Sequence, residues 1–214
     1  MAAKGTPSRP GLRAQPAPPV PAEERARTYV PKAIPADAAR VTGDDLLTDL
    51  FEAMSDLHFL AGAFEGADFV LDLALQKLPC AVGVLSLFDM NRREYVVVRQ
   101  VGGGKSGLLY RLPEAHRVAQ TAMRSGRAQL VSAAEAALDA KWALIGVAPT
   151  SLACAPIEHG GRYLGLIELC NPIDGRPFSD SDGHALTYIG RQYGEFLAER
   201  SVVLEPETVM QGLG

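Results

Sequence analysis

Between residues 42 and 61 apolar side chains return every three or four positions, at Leu47, Leu50, Met54, Leu57 and Ala61. That spacing predicts a helix with a heptad-like seam, opened by the capping-box-like Thr42-Gly-Asp-Asp45 and closed by Gly62. Leu46, Phe51 and Leu60 fall on a second side of the same helix, as a stripe that a monomer would expose. A second helix over 65–78 carries Val70, Leu71, Ala74, Leu75 and Leu78 on one side and ends at Pro79. The period then changes. Residues 81–88 and 95–101, rich in β-branched and aromatic side chains, form a hairpin about the polar turn Asp89-Met-Asn-Arg92. After the glycine-rich stretch 102–107 the pattern predicts a helix from Glu114 to Ser125, stopped by Gly126. A short strand over 127–131 and a small helix capped at Ser132 and ending near Trp142 follow.

The next hairpin joins 151–158 to 163–169 through His159-Gly160-Gly161-Arg162. A two-residue Gly160-Gly161 loop pairs Ala155 with Leu166 and Cys154 with Ile167. One face then shows Ala153, Ala155, Ile157, Leu164 and Leu166, and the other Leu152, Cys154, Gly165, Ile167 and Leu169. Both faces are apolar, so both must be covered: helices lie on one, and a second layer or a pocket on the other. Asn171-Pro172 ends the strand, Asp174-Gly175 turns the chain, and Ser179-x-x-Asp182 caps a last helix. That helix runs to about Arg200, with Leu186, Ile189, Tyr193 and Phe196 as its seam.

The chain has 214 residues, 47% of them hydrophobic, which suits one domain with a substantial core. Residues 1–40 stand apart. They hold eight of the 15 prolines and almost no large apolar residue, so they read as a disordered arm, partly polyproline. Seven basic against three acidic side chains give the arm +4, and since the whole chain carries −4, the rest carries −8. The domain is expected over 41–200, with 201–214 as a short tail. No apolar run has the length of a membrane span and no secretory signal opens the chain, so the cytoplasm is the expected compartment. Cys80, Cys154 and Cys170 make neither an even set nor a C-x-x-C, and they read as reduced core residues.

The run Leu152 to Leu197 resembles the C-terminal half of a GAF domain. The matching features are Ala155-Pro156-Ile157, the Gly160-Gly161 turn, Tyr163-Leu-Gly-Leu-Ile-Glu-Leu169, Asn171 and Phe178-Ser179-x-x-Asp182. The element order from about Asp44 to Arg200 agrees. The resemblance implies an α+β, PAS-related fold with a central antiparallel sheet of five or six strands. Terminal helices would cover one face, and a pocket with crossover helices the other. Members of the family that bind cyclic nucleotides show Asn-Lys, a later Phe and Asp-Glu; here Asn171 and Phe178 are present, but Pro172 replaces the lysine and Gly183 the glutamate, which removes the lysine–aspartate link. Gly102-Gly-Gly-Lys-Ser106 lacks the first glycine of a phosphate loop, and Pro113 interrupts the helix that should follow. Free methionine sulfoxide reductases use this fold with paired thiols, but the register above sends Cys154 and Cys170 to opposite faces. No bilin context surrounds a cysteine, and His58, His116, His159 and His184 form no haem or metal set.

The expected function is a non-catalytic sensory or regulatory domain that binds a small molecule and signals through a protein partner or dimer. Lys105, Tyr110, Arg111 and Trp142 are the candidate pocket lining, between the sheet and the 102–150 segment. No cofactor is assigned. A homodimer through helices 44–61 and 183–200 is expected, with neither nucleic acid nor membrane as partner. The alternatives are a scaffold whose pocket is filled by its own side chains, a GAF-fold methionine sulfoxide reductase, or a cyclic-nucleotide binder.

Overall fold

The computed structural model describes Arg40 and residues 44–210; the arm over 1–39, and Thr42 of the capping box, lie outside the described residues. Six strands form one antiparallel sheet in the order β3-β2-β1-β6-β5-β4. They are β1 (Cys80–Asp89), β2 (Glu94–Val101), β3 (Arg111–Pro113), β4 (Gln129–Ser132), β5 (Ser151–His159) and β6 (Arg162–Pro172). Helices α1 (Asp44–Met54), α2 (Ala63–Lys77) and α6 (Asp180–Ala198) cover one face. The other face lies under α3 (Arg117–Ser125) and the two short helices α4 (Ala133–Ala136) and α5 (Ala140–Leu144). The fold is the α+β arrangement that the resemblance implies, with six strands.

The first helix differs from its predicted seam. It ends at Met54, and Ser55–Phe59 continue as a 3₁₀ turn. Leu46, Leu50, Met54 and Leu57 point inward, and Leu46 is completely buried in the chain's own core. Leu47 and Phe51 face outward instead, at 43% and 72% exposure. The stripe assigned to Leu46 is therefore corrected by one position. The α6 seam is as expected: Leu186, Ile189, Tyr193 and Phe196 are all buried. Gly190 and Gly194 let this helix lie directly on β5, because a Cβ at either would stand 2.4 Å from the Pro156 carbonyl oxygen or 2.2 Å from that of Glu158.

Three further departures shape the other face. Residues 111–113 form the edge strand β3, where Pro113 is tolerated because an edge position needs no ladder N–H, and α3 begins at Arg117, not Glu114. The single small helix expected before Trp142 is two, and Asp139 caps the second through the Lys141 N–H. The third is a bulge. At the turn His159 pairs with Arg162, as a two-residue loop requires, and Gly160 and Gly161 both have positive φ. Between Ile157 and Glu158 the register slips by one, so Ala155 pairs with Ile167, and Cys154 with Glu168. Ile167 and Leu169 therefore join Ala153 and Ala155 under the long helices, while Leu166 and Cys170 join Leu152 and Cys154 on the opposite face. Cys154 and Cys170 share a face, which overturns the expected opposite placement.

Residues 201–210 return to the domain. Val202 and Leu204 pack against the helix-side core, and α7 (Pro206–Met210) buries Val209, whose carbonyl accepts from Arg99 Nη1 at 3.0 Å.

Candidate functional site

In a strand buried on both sides, Glu168 is a charge with nowhere to meet water. Its Cα partners are Val84 on β1 and Cys154 on β5, so it projects under α5. There the Lys141 ammonium donates a hydrogen bond to Glu168 Oε2 and lies 3.6 Å from Asp139 Oδ2. The Lys141 Nζ also sits 4.7 Å from the centroid of the Trp142 ring. Lys141, Trp142 and Glu168 are 1%, 1% and 2% exposed. Burial draws the Lys141 pKa down, but the Glu168 and Asp139 carboxylates more than offset it, so the pKa stands above the ordinary lysine value and the ammonium stays charged. His116 closes the group, with Nε2 3.5 Å from Asp139 Oδ2. Tyr95 adds a phenol whose pKa burial pushes up and whose hydroxyl contacts Met123 Sδ at 3.0 Å. Trp142 Nε1 and Ser86 Oγ have no hydrogen-bond partner among the described residues. The arrangement is an internal ion cluster in an apolar half-core.

The thiols nearby are protonated. Burial pushes Cys80 and Cys170 up to about 12, and raises Cys154 well above the ordinary thiol value, with the Glu168 charge adding to it. All three are buried, and Cys154 faces Glu168 across the strand pair, not another sulfur.

The four expected lining residues do not converge. Trp142 lies inside the closed cluster, and Tyr110 packs half-buried at its margin. Arg111 is on edge strand β3 and donates to Asp89 Oδ2 and Glu94 Oε2 at 3.3 and 3.1 Å. Lys105 stands exposed in the 102–107 loop, beside a shallow hollow of about 300 Å³. In that loop the Gly104 and Lys105 amides donate to the Ile145 carbonyl, at 2.8 and 3.1 Å, and the Gly107 amide to Gln100 Oε1 at 2.6 Å. Those three amides are not free to hold a phosphate. A larger hollow, about 690 Å³, lies at the far end of the sheet, between the β1–β2 and β5–β6 turns and Val202–Glu205.

Pattern reasoning passed over Lys141, Asp139 and Glu168. A signal was present: a lone carboxylate in Leu166-Ile-Glu-Leu169, apolar on both faces, demands a buried cation. Lys141 is the lysine beside Trp142 on the crossover segment.

The lysine–aspartate link also changes. Pro172 supplies no charge, but the fully buried Asp182 does have a cation, the Arg40 guanidinium, 2.9 Å from its Oδ2. Asp182 completes the capping box of α6 by accepting from Ser179 N at 2.7 Å.

No helix of the described residues is long and apolar enough to cross a membrane, and no group of three or more His, Cys, Asp or Glu among them could hold a metal ion. The sequence pattern of the GAF domain family matches residues 65–198. No curated protein sequence matches the chain. Among solved structures, the chain resembles the GAF domain of a phosphoenolpyruvate-protein phosphotransferase from Coxiella burnetii. The TM-score is 0.59 at 15% identity, over 72% of this chain and 93% of that one. It also resembles the free methionine-R-sulfoxide reductase of Neisseria meningitidis in complex with its substrate, with a TM-score of 0.54 at 13% identity over 76% and 96%. A third is the R. palustris bacteriophytochrome RpBphP3, at 0.57 and 10% identity over 75% and 39%. At these identities the likeness is one of fold.

Proposed function

The chain belongs to the GAF domain family, and from that premise we propose that it is a non-catalytic regulatory domain that acts through protein contact. One observation carries the reading. The face where a small molecule would lie is filled by Trp142, Tyr95, Cys154 and the Lys141–Glu168 pair, all between 0% and 2% exposed. A ligand there would have to displace an ion pair and its aromatic neighbour, at a cost of several kcal/mol.

The contact surface is the outer side of the first helix, with a second copy of the chain as the partner. Leu47 and Phe51 stand one turn apart on it, and Phe59, 80% exposed, follows in the 3₁₀ turn. The outer side of α6 bears His184, Arg191 and Glu195, so the apolar part of a bundle interface comes from α1. A second reading, a small-molecule sensor, is favoured by the unpartnered Trp142 Nε1 and Ser86 Oγ on the filled face.

Light scattering at micromolar concentration, with a melting scan against a metabolite panel, tests both. The expected result is twice the chain mass, a monomeric Leu47→Glu/Phe51→Glu variant that still melts cooperatively, and no compound that raises the Tm. Both residues are exposed, so that variant keeps its core. A monomeric wild type overturns the dimer. A compound that stabilises by about 2.7 kcal/mol at 100 times its Kd overturns the filled-pocket reading in favour of the sensor.

A further inference from the structure

Arg40 reaches the junction between β6 and α6 from the opposite end of the sequence. Its Nη1 donates to Asp182 Oδ2 at 2.9 Å and to the Pro177 carbonyl at 3.3 Å. Its Nη2 donates to Asp174 Oδ1 at 2.8 Å and to the Arg176 carbonyl at 3.2 Å. The guanidinium carbon lies 5.5 Å from the centroid of the Phe178 ring. Two carboxylates, two carbonyls and an aromatic ring thus surround one planar cation, which leaves the Arg40 side chain 9% exposed. A fork with paired donors satisfies such a set; a lysine ammonium, a single point of charge, reaches only part of it.

The cradle is built without Arg40. Asp174 Oδ1 accepts from Arg176 N at 3.0 Å, Phe178 N donates to Ser151 Oγ at 3.1 Å, and Asp182 Oδ2 accepts from Ser179 N and Oγ at 2.7 and 2.9 Å. These bonds tie the loop to itself, to β5 and to the start of α6. They also leave the fully buried Asp182 carboxylate with Arg40 as its cationic partner. Arg40, separated from these acceptors by 134 to 142 residues, meets them as a ligand meets a preformed site.

We propose that the β6–α6 junction is a guanidinium-binding site, with an arginine side chain as its ligand and Arg40 of the same chain as its resident occupant. Occupancy straps the segment before α1 to the start of α6. Whatever draws residue 40 away opens a site that selects arginine over lysine.

The test uses the full chain with Arg40→Ala and Arg40→Lys, melted with and without ethylguanidinium or ethylammonium chloride at equal ionic strength. Arg40→Ala is expected to lower the Tm by about 5–10 °C, as for a buried carboxylate stripped of its cation in a domain of this size. Arg40→Lys should recover less than half of that loss. Ethylguanidinium should restore at least half of it in Arg40→Ala, ethylammonium none, and neither should raise the wild type, whose site is filled. An Arg40→Ala chain that melts like the wild type overturns the proposal, and so does equal restoration by both cations. If Arg40→Ala does not fold unaided, refolding yield is compared with the same two salts. Recovery with ethylguanidinium only supports the site, and recovery with both or with neither overturns it.

Discussion

The two faces of the sheet are built on different terms. Under α1, α2 and α6 the buried side chains are mostly hydrocarbon, from Leu46 and Leu50 through Ile157 and Ile167 to Phe196; the buried phenol of Tyr193 donates to the Ala63 carbonyl at 2.6 Å, and the buried Arg99 pairs with Asp68 of α2. Under α3 to α5 an apolar layer of similar quality holds a lysine, a glutamate, an aspartate and a serine. Burial dominates the first face, where single pairs, Arg99 with Asp68 and Asp182 with Arg40, hold the charge; the second balances one lysine against two carboxylates in an enclosed cluster. A hydrocarbon core tolerates loss of a group in proportion to its volume, whereas an ion cluster fails when one member leaves.

The largest expected effect breaks that balance. Lys141→Met leaves the Glu168 and Asp139 carboxylates buried without their cation and should cost about 3–5 kcal/mol by denaturant titration. The double variant Lys141→Met/Glu168→Leu should return to within about 2 kcal/mol of the wild type, because it replaces the pair by hydrocarbon. A single variant as stable as the wild type would show that the cluster balances nothing.

A smaller effect sharpens the contrast from the helix side. Gly190→Ala forces its Cβ onto the Pro156 carbonyl and should cost about 1–3 kcal/mol through a backbone shift. Gly183→Ala in the same helix has its nearest neighbour at 3.5 Å and should be neutral or slightly stabilising. Equal melting temperatures for the two would mean that α6 does not lie on β5 as closely as described.

The effect that is smallest at neutral pH concerns the thiols, one on the helix side (Cys80) and two on the other (Cys154 and Cys170). Their pKa values are raised in the fold, so the stability they contribute is complete below the unfolded thiol value near 9. It is lost as the pH climbs toward about 12. The slope should be about 1.4 kcal/mol per pH unit for each thiol, and Cys170→Ala should flatten it. At pH 8 native labelling by a thiol reagent should be slow on both faces. Fast labelling of Cys154 and Cys170, followed by a disulfide, would turn the second face into a redox site.

Much of this architecture was legible from local pattern. The switch from helical to strand period at Pro79, the Gly160-Gly161 turn with its two positive φ values, the Ser179–Asp182 capping box and the α6 seam all depend on neighbours within a few positions. The candidate site was far less legible. The pattern puts Trp142 in a pocket lining, yet it lies sealed beside Lys141, and Lys105 is exposed on a loop where the Gly104 and Lys105 amides bond the Ile145 carbonyl. Proximity to a predicted pocket says nothing about what fills it.

The chain's own order of residues thus determined the long helices, the two hairpins and the need to cover both faces, since period, caps and breakers are short-range properties. Tertiary structure alone decided the rest. The bulge between Ile157 and Glu158 exchanged the faces of Leu166, Ile167 and Cys170, because a strand has a period of two and one extra residue reverses every side chain beyond it. The packing of α1 turned Leu46 inward and Leu47 outward. Arg40 found Asp182 across 142 residues, and Lys141 found Glu168, because a buried charge takes whatever counter-charge the fold brings within reach.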